Sequence, residues 1–109
     1  MEKRLAMLAV IQEQDLEDAL RALRKRNLPV SYLSTSGGFL ERRNATLMIS
    51  LRPEDVEEAL QALRVSCRQR VEYMSLPVEG SPFPVPTSLP VTVGGATVFM
   101  LPIEYFEEL

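Results

Sequence analysis

Two stretches decide the fold: Asp15-Leu-Glu-Asp-Ala-Leu-Arg-Ala-Leu-Arg24 and Asp55-Val-Glu-Glu-Ala-Leu-Gln-Ala-Leu-Arg64. They are identical at seven of ten positions and lie 40 residues apart. In each, the apolar residues fall on one helical stripe. Leu16, Ala19, Leu20 and Leu23 form the first, and Val56, Ala59, Leu60 and Leu63 form the second. Glu17, Asp18, Arg21 and Arg24 take the solvated side of the first helix. Asp15 stands where an N-cap is expected. Pro53 suits the first helical position of the second helix. Arg24, Lys25 and Arg26 fall at the negative pole of the first helix and read as a solvated last turn. Asn27-Leu28-Pro29 then breaks it. Any amphipathic helix draws on Ala, Leu, Glu and Arg, so the identity alone is a weak signal. The matched placement of the two stretches in each half of the chain argues for two similar β-α-β units.

Working outward, Leu5 to Ile11 is almost wholly apolar and predicts a central strand buried on both faces. In the strand predicted over Val30 to Ser36, Val30, Tyr32 and Ser34 alternate with Ser31, Leu33 and Thr35. Ala45 to Leu51 is the next strand, with Leu47, Ile49 and Leu51 on one side. The short link between these two makes them antiparallel neighbours. Gln69 to Leu76 reads as a fourth strand. The order βαββαβ is the α+β, ferredoxin-like sandwich, with both helices on one face of an antiparallel sheet. Pro77 to Pro90 contains five prolines and predicts a long loop, mobile or extended. Val91 to Leu101 reads as one extra C-terminal strand interrupted at Gly94-Gly95, and Pro102 to Leu109 as a short acidic end. The expected organisation is a single domain over residues 1–109 with the proline-rich loop at 77–90. Val98, Met100, Ile103 and Phe106 exceed what one such unit needs, and suggest a subunit interface over the open sheet face.

Composition excludes more than it identifies. The net charge of −3 gives no basic field for a nucleic acid polymer. No apolar run approaches the roughly 18 residues of a membrane helix. The opening Met-Glu-Lys-Arg-Leu-Ala-Met-Leu-Ala-Val-Ile is read as a strand rather than a signal peptide. Cys67 is the one cysteine, which excludes an internal disulfide and fits a cytoplasmic location. It reads as a small buried hydrophobe. With no histidine, the commonest general base and transition-metal ligand are missing. No HExxH, P-loop or GxSxG motif occurs. The expectation is a protein that is not an enzyme and carries no metal or cofactor.

The chemistry-bearing stretch is Leu33-Ser-Thr-Ser-Gly-Gly-Phe-Leu-Glu-Arg-Arg-Asn-Ala-Thr-Leu-Met-Ile-Ser-Leu51. Gly37 and Gly38 let another group approach the backbone closely, Phe39 follows where a plain hairpin would carry a polar residue, and Asn44 both donates and accepts. A second pair, Gly94-Gly95, stands in Val-Thr-Val-Gly-Gly-Ala-Thr-Val-Phe. Taken alone, the two segments are a hairpin turn and a strand bulge.

Together, in this order of elements, they resemble the PII-like cyclic-di-AMP receptors, relatives of the nitrogen-regulatory PII proteins. The residues carrying the resemblance are Asn27, Ser31, Thr35, Gly37, Gly38, Phe39, Leu40, Asn44 and Thr46, then Val93 to Phe99, Leu101 and Pro102. It spans essentially the whole chain. It implies a homotrimer with ligand sites in the clefts between subunits, and cyclic di-AMP as the small nucleotide ligand. A loop movement would be read by a protein partner. The ligand-binding residues it implies are Asn27, Ser31, Gly37, Gly38, Phe39, Leu40, Asn44, Gly94 and Gly95. Their chemistry suits the task. Gly38 opens backbone N–H groups to a phosphate, Phe39 offers a face for adenine, Asn44 an amide for the base edge, and Ser31 a hydroxyl for phosphate. The chain departs from the pattern at Pro29 and Glu41, where the family has arginine, and at Arg43, where it has glycine. The alternative is a PII-like interaction module that has lost cyclic-di-AMP binding or takes ATP or ADP instead.

Overall fold

A computed structural model of the chain describes residues 4–35, 43–77, 86–105, 107 and 109. The elements run β1 (Arg4–Gln12), α1 (Leu16–Lys25), β2 (Val30–Thr35), β3 (Asn44–Leu51), α2 (Val56–Ser66), β4 (Arg70–Pro77), β5 (Pro86–Val93) and β6 (Ala96–Ile103). Short 3-10 turns, Glu13–Asp15 and Pro53–Asp55, lead into the two helices. Pro53 therefore opens a 3-10 turn rather than α2 itself.

One sheet has the order β2-β3-β1-β6, antiparallel at every pairing. That is the ferredoxin-like order, with one difference from expectation. β6, not the fourth strand of the sequence, fills the edge beside β1. The fourth strand leaves the sheet and pairs with β5 in a separate two-stranded ribbon. The expected loop at 77–90 is accordingly too wide. Pro77 ends β4, and Pro86 to Pro90 belong to β5. Proline is tolerated there because a two-stranded ribbon has only edge strands, whose outward side needs no N–H donor. The single interrupted strand expected over 91–101 is two strands, β5 and β6, parted at Gly94-Gly95. The radius of gyration is 18.2 Å, against about 13 Å for a compact chain of this length. A ribbon standing off the sheet accounts for that excess.

Alternation sets the core. Met7, Ala9 and Ile11 of β1 and Ala45, Leu47, Ile49 and Leu51 of β3 turn inward to Ala19, Leu20, Leu23, Ala59, Ala62 and Leu63 of the helices. In α2 the buried stripe runs through Ala62, with Val56 and Leu60 only partly covered. β1 is central but not buried on both faces. Ala6, Leu8 and Val10 are only partly buried on the side without helices. On that side Leu33, Met48, Phe99 and Leu101 are each at least half exposed.

α1 ends in a Schellman motif. The Leu28 N–H donates to the Leu23 carbonyl at 3.1 Å and the Asn27 N–H to the Arg24 carbonyl at 3.0 Å. This requires Asn27 in the left-handed region, and its φ is 58°. Leu28 closes the motif by packing into the core, and Pro29 follows where the helix has already stopped.

Cys67, at the C-cap of α2, is 2 % exposed. Burial pushes its thiol up, and the Ser66 hydroxyl opposes this only in part. Because the folded thiol holds its proton to higher pH than the unfolded one, its contribution to stability is complete below the unfolded value. It is lost as pH rises through the folded one. Two results are expected. A disulfide reagent should label native Cys67 no faster than the protein opens. The alkaline loss of stability should be smaller in Cys67→Ala.

Candidate functional site

The end of the sheet where β1 stops and β3 starts is built by four chain segments. Gln12 closes β1 opposite Asn44, the first residue of β3. The Glu13 N–H donates to the Arg43 carbonyl at 3.0 Å, which ties the start of β3 to the turn after β1. Gly94 and Gly95 connect β5 to β6 with φ of +86° and +91°. The Gly94 N–H donates to Gln12 Oε1 at 2.8 Å, and the Gly95 N–H to the Cys67 carbonyl. Because a backbone N–H can only donate, the Gln12 oxygen must face Gly94. The Gln12 amino group is thereby turned the other way.

These segments enclose a hollow of about 290 Å³ lined by Gln12, Asn44, Gln69, Gly94, Gly95 and Thr97, with three apolar neighbours. No charged side chain of the described residues lines it. Three carboxamides and a hydroxyl around an uncharged space suit a neutral ring with donors and acceptors on its edge. The volume lies at the small end of ligand sites, enough for one base but not for a dinucleotide.

Gly94 is where it is for steric reasons. A Cβ there would stand 2.2 Å from the Arg68 carbonyl oxygen and 2.8 Å from Arg70 Nη1. The root of β4 thus presses directly on the glycine turn. Arg70 is held by three contacts: Nη2 to Asp15 Oδ1 at 2.8 Å, Nη1 to the Arg68 carbonyl at 3.1 Å, and Nε to Glu72 Oε1 at 3.2 Å. Asp15, expected to cap α1, makes no capping bond with its side chain. Its carboxylate is instead buried, at 3 % side-chain exposure, and serves Arg70 across 55 residues of sequence.

Of the residues implied by resemblance, the structure brings Asn44, Gly94 and Gly95 together around one hollow. Ser31 does not line it. It shares the helix-free face with Asn44 but pairs with Met48, four residues along β3, or about 13 Å away. Asn27 is an exposed helix terminus with its own backbone role. Gly37, Gly38, Phe39 and Leu40 lie outside the described residues, as does Glu41. Sequence reading missed Gln12 and Gln69. Gln12 was visible only as the polar residue that stops an apolar run, and Gln69 as the start of a strand.

A family model described as cyclic-di-AMP receptor matches residues 4–109. The chain belongs to that receptor family. Among solved structures, the chain is similar to a functionally unknown protein from Pediococcus pentosaceus at 32% identity and a TM-score of 0.75, covering 100% of both chains. A DUF3240 family protein from Shewanella baltica matches at 15% identity and a TM-score of 0.64, over 100% of this chain and 99% of that one. The PII protein of Arabidopsis thaliana, bound to citrate, matches at 18% identity and a TM-score of 0.55, over 94% of this chain and 77% of that one. The last two likenesses concern the fold, which is PII-like. No helix among the described residues is long and apolar enough to cross a membrane.

Proposed function

We propose that the chain is a non-enzymatic, cytoplasmic signal-transduction receptor that binds cyclic di-AMP in clefts between the subunits of a homotrimer. The β4–β5 ribbon reports occupancy to a protein partner. The juxtaposition of Asn44 with Gly94 and Gly95 around one uncharged hollow supports this most. An adenine fits that chemistry, and Gln12 and Gln69 add amides to read its edge. The rest of the dinucleotide needs further walls. Ser31 and the segment from Gly37 to Leu40 are assigned to its phosphates and second face, with Phe39 stacking on a base. A neighbouring copy laid over Leu33, Met48, Phe99 and Leu101 would cover the open sheet face and close the cleft.

Calorimetric titration with cyclic di-AMP, ATP and ADP tests the ligand, and light scattering tests the assembly. Saturable binding of cyclic di-AMP to a particle of about three chain masses is expected. Asn44→Ala should weaken binding by about 1–3 kcal/mol, about fivefold to a hundredfold. Binding of ATP or ADP alone, or of none of the three, would overturn the cyclic-di-AMP reading. The second outcome would leave an interaction module. A concentration-independent monomer would remove the intersubunit site.

A further inference from the structure

We propose that the groove between α1 and the root of β4, on the helix side of the molecule, is a second ligand site. Its ligand is a small phosphorylated molecule that also carries a hydroxyl or amino donor. The groove measures about 680 Å³, the size of a metabolite site. Arg21 and Lys25 line it from α1, Arg26 from the helix's C-cap, and Arg68 and Arg70 from the start of β4 and the residues just before it. The sequence presents Lys25 and Arg26 as a solvated helix end. The fold sets two more arginines opposite them. Five cations against two carboxylates, Asp15 and Asp18, line one hollow in a chain of net charge −3, and that local excess of positive charge favours an anion. The chain does not neutralise them all. Arg21 pairs with Asp18 at 3.1 Å and Arg26 with Glu58 at 3.8 Å, both exposed carboxylates of the kind that yields readily to a competing anion. Lys25 and Arg68 form no ion pair with any described residue. Arginine forks bind phosphate oxygens in pairs, and a lysine adds a point charge.

The second half of the ligand follows from Asp15, which lines the same groove. Its Oδ1 is taken by Arg70, but its buried Oδ2 has no hydrogen-bond partner among the described residues. A buried carboxylate oxygen left without a donor is costly, and native folds satisfy such atoms. A bare anion would be repelled there. A hydroxyl or amino group supplies the missing donor while the phosphate meets Lys25 and Arg68. This site shares no described lining residue with the hollow at Asn44.

Titrating the full chain with ribose 5-phosphate, inorganic phosphate and ribose at fixed ionic strength tests it. Ribose 5-phosphate is expected to bind saturably, inorganic phosphate at least several-fold more weakly, and ribose not measurably. The double variant Lys25→Glu, Arg68→Glu changes only exposed side chains and so should fold. It should lose at least tenfold in affinity for ribose 5-phosphate. Asn44→Ala should bind it as the parent does, which separates this site from the one proposed for cyclic di-AMP. No saturation by ribose 5-phosphate, or equal affinity in the double variant, would overturn the site. Equal affinity for inorganic phosphate would overturn the role given to Asp15.

Discussion

Arg70→Ala is expected to destabilise the protein far more than Asp15→Asn does. The cost sits on Asp15. Its carboxylate is 3 % exposed, and among the described residues Arg70 is its one side-chain hydrogen-bonding partner and Oδ2 has none. Removing the guanidinium strands a buried anion, which typically costs about 3–5 kcal/mol. The lower end applies here, because Arg70 itself keeps 29% of its side chain in contact with solvent. Asp15→Asn removes the charge but keeps the shape and an amide oxygen for Arg70. The arginine retains its bonds to the Arg68 carbonyl and to Glu72. Its expected loss is about 1 kcal/mol, the net worth of a typical hydrogen bond. Urea unfolding of the three proteins checks the order. Equal midpoints for Arg70→Ala and the parent would mean that water reaches Asp15 and that the pair is ornamental.

That pair also marks the limit of what the sequence discloses. The helices were legible because Leu16, Ala19, Leu20 and Leu23 repeat at the helical period, and the same period recurs 40 residues on. β2 and β3 were legible because stretches of two-residue alternation stand on either side of Gly37-Gly38 in the sequence. Neither signal reaches across space. Asp15 was read by its position before a helix, where a cap is the commonest local use. Nothing local to Asp15 says that a carboxylate there is wanted by an arginine 55 residues away. The ribbon was misread for a related reason. Prolines at 77, 86 and 90 signal a loop by local propensity, while an edge strand tolerates them once a partner strand exists. At the site, the glycines advertised themselves and the glutamines did not. Gln12 and Gln69 look ordinary until the turn between β5 and β6 brings Gly94 to the first and Gly95 to the second.

Gly94→Ala is expected to be the most damaging single substitution at the site, and Gly95→Ala a milder one. Both glycines have positive φ, +86° and +91°, which costs a side-chain-bearing residue about 1–2 kcal/mol before any contact is counted. Their surroundings then separate them. A Cβ at Gly94 would overlap the Arg68 carbonyl oxygen at 2.2 Å. That oxygen is backbone, and it also accepts from Arg70 Nη1, so it cannot retreat without loosening the root of β4. A Cβ at Gly95 meets the Gln69 side chain at 3.1 Å, and a flexible glutamine can turn aside. The strain and displacement at Gly94 together should reach about 3 kcal/mol or more, against about 1–2 at Gly95. The two variants should also differ in kind. Moving Gly94 breaks its bond to Gln12 Oε1, frees the amide that this bond orients, and shifts the wall of the hollow. Gly94→Ala should therefore lose ligand affinity along with stability, and loosen hydrogen exchange in β4 and β5. Gly95→Ala moves Gln69, so its affinity should fall while exchange in the ribbon stays near the parent's. Equal effects of the two on stability and on exchange would show that the contact between the turn and Arg68 does not brace the ribbon. In that case occupancy of the hollow would have no rigid path to β4.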